Sequence, residues 1–283
     1  MRDLLLKTSS FNAVGSGQTA NLTLPVNGPV YEAIHLQHKF GTTPALATKA
    51  QIKANISHVA VKVNGETLID LTGEELQELN DFYKYPFKTG YLSIPFIRPE
   101  FLNANEELRY ALGTVGIRQL SIEITLAAGL INPSLDAWAQ ITPGVQRPMG
   151  QVIRVRSTTQ SAQAAAGLRE IHDLPVVGPE IGRGIKALHI QSGKITEHEI
   201  LRQGTKITES TKELLTLVQN FRSYRTGGRT GQTGYYHIDF AGDRASGIVS
   251  TQDVSDFRLK LTFSGIEAAF KVISEETIGA ADI

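Results

Sequence analysis

His35 and His38 have a spacing that often holds a metal, but the stretch EAIHLQH alternates as a strand does. Residues three apart on a strand point to opposite faces, so the two rings cannot chelate one ion. Asp239, Asp243, Asp253 and Asp256 gather in and around one loop and offer the oxygen donors calcium takes. Without an Asp-x-Asp-x-Asp-Gly pattern they read as solvated turn carboxylates. The run TGGRTGQTG (226–234) is glycine-rich, but it lacks a Lys-Ser/Thr ending and leads into a strand, whereas a phosphate-binding loop leads into a helix. It reads as a flexible surface loop, with Arg222, Arg225 and Arg229 on a solvated face. Glu74, Glu75 and Glu78 fall on one short helix and its cap. Ser, His and Asp all occur, but no nucleophile-elbow pattern does, and there is no Cys to act as nucleophile or thiolate ligand. These residues amount to no catalytic site, no assignable metal ligands and no required cofactor; the chain is expected not to be an enzyme.

The elements that would have to position such groups are strands. Leu22 and Leu24 alternate with polar neighbours, as do Ile122, Ile124 and Leu126, the pattern of a sheet with one buried and one wet face. In IKANISHVAVKV (52–63) the alternation changes phase midway, which predicts a bulge or two strands. Asn64-Gly65 and Ser192-Gly193 separate strand-like runs as hairpin turns do. Eight strands are expected in the first half, near 18–25, 31–37, 44–49, 52–63, 66–71, 91–97, 107–113 and 117–127. One helix follows the fifth of these. Thr72-Gly73-Glu74-Glu75 forms a capping box, and Ser210-Thr211-Lys212-Glu213 is its expected counterpart. Leu76, Leu79 and Tyr83 share one helical face, as do Leu214, Leu217/Val218 and Phe221; both faces are expected to lean on the sheets.

The chain is duplicated. TGYLSIPFI (89–97) answers TGYYHIDFA (233–241), and LSIEITL (120–126) answers FRLKLTF (257–263). VKVNGETLIDL pairs with the stretch around Ser192-Gly193, and EAIHLQ with REIHDL, which matches His35 to His172. The offset drifts, as loop insertions make it do, and two like domains in tandem result. The expected division is an N-terminal arm over 1–12, a first domain over 13–132, a linker over 133–149 and a second domain over 150–283. The linker is rich in Pro and Gly and holds Trp138, the only Trp, expected to pack between the halves.

A length of 283 residues suits two domains. With 28 basic and 28 acidic side chains the net charge is zero, which argues against a dedicated nucleic-acid binder. The apolar run in MRDLLLKTSS is too short for a signal sequence or a membrane span, so a soluble product of cytoplasmic synthesis is expected.

Eight antiparallel strands with one short helix, present twice, describe an all-β double jelly roll. Through LLLKTSSFNAVGSGQTANLTLP (4–25), VNGETLIDLTGEELQELN (63–80) and TGYLSIPFIRP (89–99), the chain resembles the double jelly-roll major capsid proteins of membrane-containing icosahedral bacteriophages, closest to the corticovirus type. The resemblance implies a structural coat protein, made in the host bacterial cytoplasm and placed in the virion. It implies a homotrimer whose six lobes form a pseudo-hexameric capsomer, with neighbouring capsomers, a vertex protein and the internal membrane or its proteins as partners, the last through the N-terminal arm. Some members bind structural calcium; no ligand motif here matches theirs. A glycan-acting hydrolase or carbohydrate-binding protein on tandem jelly rolls is the alternative, though aromatic residues at 7% are sparse for it.

Overall fold

The computed structural model describes residues 4–179 and 181–279. Residues up to Pro99 and Ala104–Val152 form one compact unit; Glu100–Asn103 and the residues from Ile153 onward form the other. The first unit comprises β1 (Leu4–Lys7), β2 (Thr19–Leu24), β3 (Val30–Phe40), β4 (Ala45–Leu46), α1 (Lys49–Asn55), β5 (Ile56–Val63), β6 (Glu66–Leu71), α2 (Gly73–Phe82), β7 (Tyr91–Pro95), α3 (Ala104–Arg109), β8 (Leu112–Gly113), β9 (Leu120–Leu126) and β10 (Ser134–Thr142). The second comprises β11 (Val152–Gln160), β12 (Gly167–Ile171), β13 (Gly184–Ile190), β14 (Ile195–Arg202), β15 (Thr205–Thr211), α4 (Lys212–Arg222), β16 (Tyr236–Asp239), β17 (Val249–Ser250), β18 (Phe257–Phe263) and β19 (Phe270–Ile278).

Each unit is a two-sheet sandwich with the same connectivity. In the first, one sheet runs β1–β10–β3, with β7 and β8 also on β3, and the other runs β6–β5–β9–β2. In the second, β11–β19–β13, with β16 and β17 on β13, faces β15–β14–β18–β12. Apart from the two-residue β4 on β3, which has no counterpart, the two sets match, so the tandem jelly rolls expected from the duplication are present. Period-two alternation puts the core between the sheets: β9 and β18 bury every second residue. In the second unit Leu188 and Ile190 of one sheet pack with Leu259 and Leu261 of the other.

Two strands were missed, and both belong to the first roll. Leu4–Lys7, expected as an arm, pairs with β10 from Leu4↔Ile141 to Lys7↔Trp138. Residues 134–142, expected as part of a linker, are strand β10, paired along its length with β3. Their prolines and glycines lie outside the strand, so ladder hydrogen bonds are kept. Trp138 accordingly sits in the first unit, where its ring meets Tyr91 and Lys7. The segments expected as strands at 44–49 and 107–113 supply only the two-residue β4 and β8.

The expectation of one helix per roll holds for the second unit's α-helices but not the first, which has three. The phase change in 52–63 is a helix followed by a strand: Ile52 lies in α1, and β5 begins at Ile56. The turns also re-pair. Asn64 and Gly65, both at positive φ, join β5 to β6; their equivalents are Gln203 and Gly204, also at positive φ, between β14 and β15. Ser192-Gly193 instead lies where the chain crosses from β13 in one sheet to β14 in the other.

Thr72 caps α2 through Glu75 N, and the Glu75 carboxylate accepts from Thr72 N at 2.7 Å, completing the capping box. In the second unit the cap is Thr211, which accepts from Leu214 N at 3.3 Å, while Ser210 Oγ donates to a carbonyl. Leu214 occupies the position a Glu would need, so α4 has no capping box. Thr72→Ala and Thr211→Ala should each cost about 1 kcal/mol. Ser210→Ala should leave the urea midpoint unchanged, in contrast to both.

Candidate functional site

None of the residues with candidate chemistry assembles into a catalytic centre. Asp239 is 3% exposed. It pairs with Arg229 Nε at 3.0 Å and accepts from the amides of Ala241 and Gly242. Arg229 is therefore buried and pins the glycine-rich loop from inside; the solvated-face reading holds for Arg222 and Arg225 only. Asp243 is also buried, Asp253 is exposed, and Asp256 pairs with Arg258. The four carboxylates do not converge, and among the described residues no group of three His, Asp or Glu side chains could hold a metal ion. Asp239, already satisfied by a guanidinium and two amides, is a poor calcium ligand. Glu75 is spent on its cap, and Glu78 is paired with Lys53.

His35 and His38 point to opposite faces of β3, as their spacing requires. His38 is buried with Asn55 and the Ser134 carbonyl, and burial lowers its pKa. His35 belongs to a polar network that the second unit repeats. His35 Nδ1 meets Ser93 Oγ at 2.9 Å and Nε2 meets Gln140 Oε1 at 3.3 Å. Gln140 Nε2 and Thr142 Oγ1 donate to Glu32.

In the second unit, His189 Nδ1 lies 2.7 Å from His237 Nδ1, and Nε2 lies 3.1 Å from Glu275 Oε1. Lys186 Nζ lies 3.0 Å from both Glu275 and Glu100. Strand register makes these pairs equivalent. His35 is opposite Ser93 as His189 is opposite His237, and Gln140 and Glu275 are opposite Ala33 and Ala187. Both sheets bulge at the next residue, Glu32 in one and Lys186 in the other. The helices repeat the device: Asn80 Nδ2 donates to Ser93 O and Gln219 Nε2 to His237 O. His35 thus matches His189, not His172, which is exposed on a short edge strand's far end. The second network is sealed: Lys186 and His189 are 0% exposed and Glu275 is 1%. Burial, and then the neighbouring His189, push His237 well below the ordinary histidine pKa. A sealed cluster of this kind orders a sheet and admits no substrate.

What the molecule offers outward is surface. The outer face of the first unit's β10–β3–β7 sheet is a groove of about 960 Å³, walled by Trp138, Tyr91, Phe87, Pro95 and Leu5. The second surface is α4. Its Leu215 packs on the core and Gln219 is buried. Leu214, Leu217 and Phe221, expected to lean on the sheets, are 50%, 66% and 76% exposed, and Tyr224 beyond them 64%. The apolar period was legible, but its direction was not; the signal that could have found it is the match of Thr211 to Thr72, which aligns Gln219 with the buried Asn80. β1 adds Leu4, Leu5 and Leu6, all exposed. Among the described residues no helix is long and apolar enough to cross a membrane.

The family model described as viral coat protein P2 N-terminal domain matches residues 5–142, and that for the P2 C-terminal domain matches residues 152–277. The chain is 29% identical over 266 residues to the major capsid protein P2 of Pseudoalteromonas phage PM2, covering 90% of each. The crystal structure of the PM2 protein superposes with a TM-score of 0.83 at 25% identity, over 98% of this chain and 97% of that one. The major capsid protein of Sulfolobus turreted icosahedral virus shares the fold at a TM-score of 0.67 and 12% identity, over 98% and 97%. With matching family models across both rolls and a PM2 relative alike in sequence and fold, the chain belongs to the viral coat protein P2 family and its role is that of a structural capsid protein.

Proposed function

We propose that three copies form a capsomer with six similar lobes, the tile of an icosahedral shell built around an internal membrane. The observation that carries this reading is the strand order the two rolls share. A subunit with two equivalent lobes gives near-sixfold packing while needing only threefold symmetry. Zero net charge suits dense packing of many copies, since long-range self-repulsion is small. Neighbouring capsomers, a separate vertex protein and the membrane or its proteins are the partners of such a tile. Exposed Leu4 and Leu6 on β1 support an N-terminal contact with lipid or with a neighbour. Synthesis in the bacterial host's cytoplasm fits this assembly route.

Light scattering on the size-exclusion peak tests the trimer. The mass should be three times the 30.8 kDa subunit and should persist on dilution to micromolar protein. A monomer at that concentration would overturn the reading.

A further inference from the structure

The two rolls differ in what covers their helices. In the first, α1 lies against α2, with Lys49 on Asp81 at 2.7 Å and Lys53 on Glu78. The approach is close: a Cβ on Gly73 would stand 2.7 Å from Ile56 Cβ and O. Phe82, at the end of α2, is 1% exposed. In the second roll four residues, 191–194, join β13 to β14, and no helix stands where α1 stands in the first. Lys212 replaces Gly73, Leu217 replaces Glu78, and Phe221 replaces Phe82. The acidic contact for α1 is gone, and an apolar face is exposed in its stead.

The sheets differ in the opposite sense. The outer face carrying Lys186, His189 and Glu275 is buried in the second roll. Its equivalent in the first roll, around His35, Gln140 and Trp138, is the open groove. Each chain therefore carries one uncovered helix and one uncovered groove, both apolar.

We propose that α4 of one copy seats in the Trp138 groove of the next, with Leu217 and Phe221 against Trp138, Tyr91 and Pro95. The contact joins unlike surfaces, so it is heterologous and closes only as a ring; three copies close it, and the inference rests on the trimer reading above. Charges set the direction. The groove's rim bears Lys88 and Glu107, and the helix bears Glu213 in its first turn and Arg222 in its last. The N-terminal end of α4 then faces Lys88. Aromatic and leucine side chains desolvated at the centre of such a contact dominate its energy.

The absence of Cys makes the test clean. Under oxidation, Leu217→Cys mixed with Pro95→Cys should give a covalent dimer, and neither variant alone should. The double variant should give a ladder that ends at three chains. Phe221→Asp, at a site too exposed to upset the fold, should raise the trimer dissociation constant roughly thirtyfold or more, with the monomer's circular dichroism unchanged. Glu213→Lys should weaken the trimer, and Lys88→Glu in the same chain should restore it. A Phe221→Asp protein as trimeric as the wild type, or cross-links only between like cysteines, would overturn this docking and leave the trimer standing. A monomeric wild type would instead remove the trimer reading itself.

Discussion

Lys186→Ala is expected to be among the most destabilising single changes in this chain, costing about 3–5 kcal/mol. Lys186 is 0% exposed and lies 3.0 Å from both Glu100 and Glu275. Removing the ammonium takes away the cation that these two buried carboxylates share, in a place water does not reach. Glu100 is the more telling partner, because Glu100–Asn103 lie between first-unit segments in sequence yet belong to the second unit. The ion pair helps to anchor that excursion, together with the Leu102 amide on the Asp243 carbonyl at 3.0 Å. A triple change, Lys186→Met with Glu100→Gln and Glu275→Gln, should recover most of the loss, since a buried ion pair replaced by neutral groups of like shape is often near neutral. Urea denaturation of the single and triple variants decides it. Equal midpoints for wild type and Lys186→Ala would mean the cluster is solvated in solution.

Acid is expected to weaken the fold well before the carboxylates titrate. His198 is 2% exposed, and burial lowers its pKa from 6.5 to about 4, with nearby Glu209 acting weakly the other way. Its Nδ1 meets the Tyr236 hydroxyl at 2.8 Å. Because the folded value is depressed, the unfolded chain takes up the proton first as pH falls. The stabilisation is complete above pH 6.5 and is lost progressively between pH 6.5 and about 4. At 1.36 kcal/mol per pKa unit, this histidine alone contributes about 3 kcal/mol over that window. His38 and His237, both lowered chiefly by burial, act in the same direction. Unfolding free energy measured at pH 7 and pH 4.5 should therefore differ by several kcal/mol, about as much as a few depressed histidines supply. His198→Gln should flatten part of that slope. A slope that is flat in the wild type would mean that His198 is protonated in the folded protein.

The duplicated network shows how one fold carries different chemistry at one position. The bulged residue is Glu32 in the first roll, held by the neutral donors Gln140 and Thr142, and Lys186 in the second, held by two carboxylates. Both close the polar account of the same bulge, with opposite charge. A backbone feature retained under such different side chains points to a geometric role, bending the sheet where β3 and β13 pass their partners.

Local order was legible in the residues themselves. Period-two alternation in β2, β9 and β18, the Asn64-Gly65 turn and the Thr72 capping box each depend on neighbours a few positions away. The duplication was legible because two copies of one pattern resemble each other whatever they fold into. Which segments complete each roll was decided only in three dimensions. β1 pairs with β10 across more than 130 residues, as in Leu4↔Ile141, and a four-residue strand gains its hydrogen bonds from that partner rather than from its own pattern. The same limit misplaced the repeat by one strand at Ser192-Gly193, since a hairpin and a sheet-to-sheet crossover use similar residues. It also hid the direction of α4. An apolar stripe at Leu214, Leu217 and Phe221 reports that a helix face is to be covered, but burial is non-directional. Whether the cover is the helix's own sheet, as at Leu76 and Leu79, or something outside the chain depends on the presence of α1 in one roll and its absence in the other.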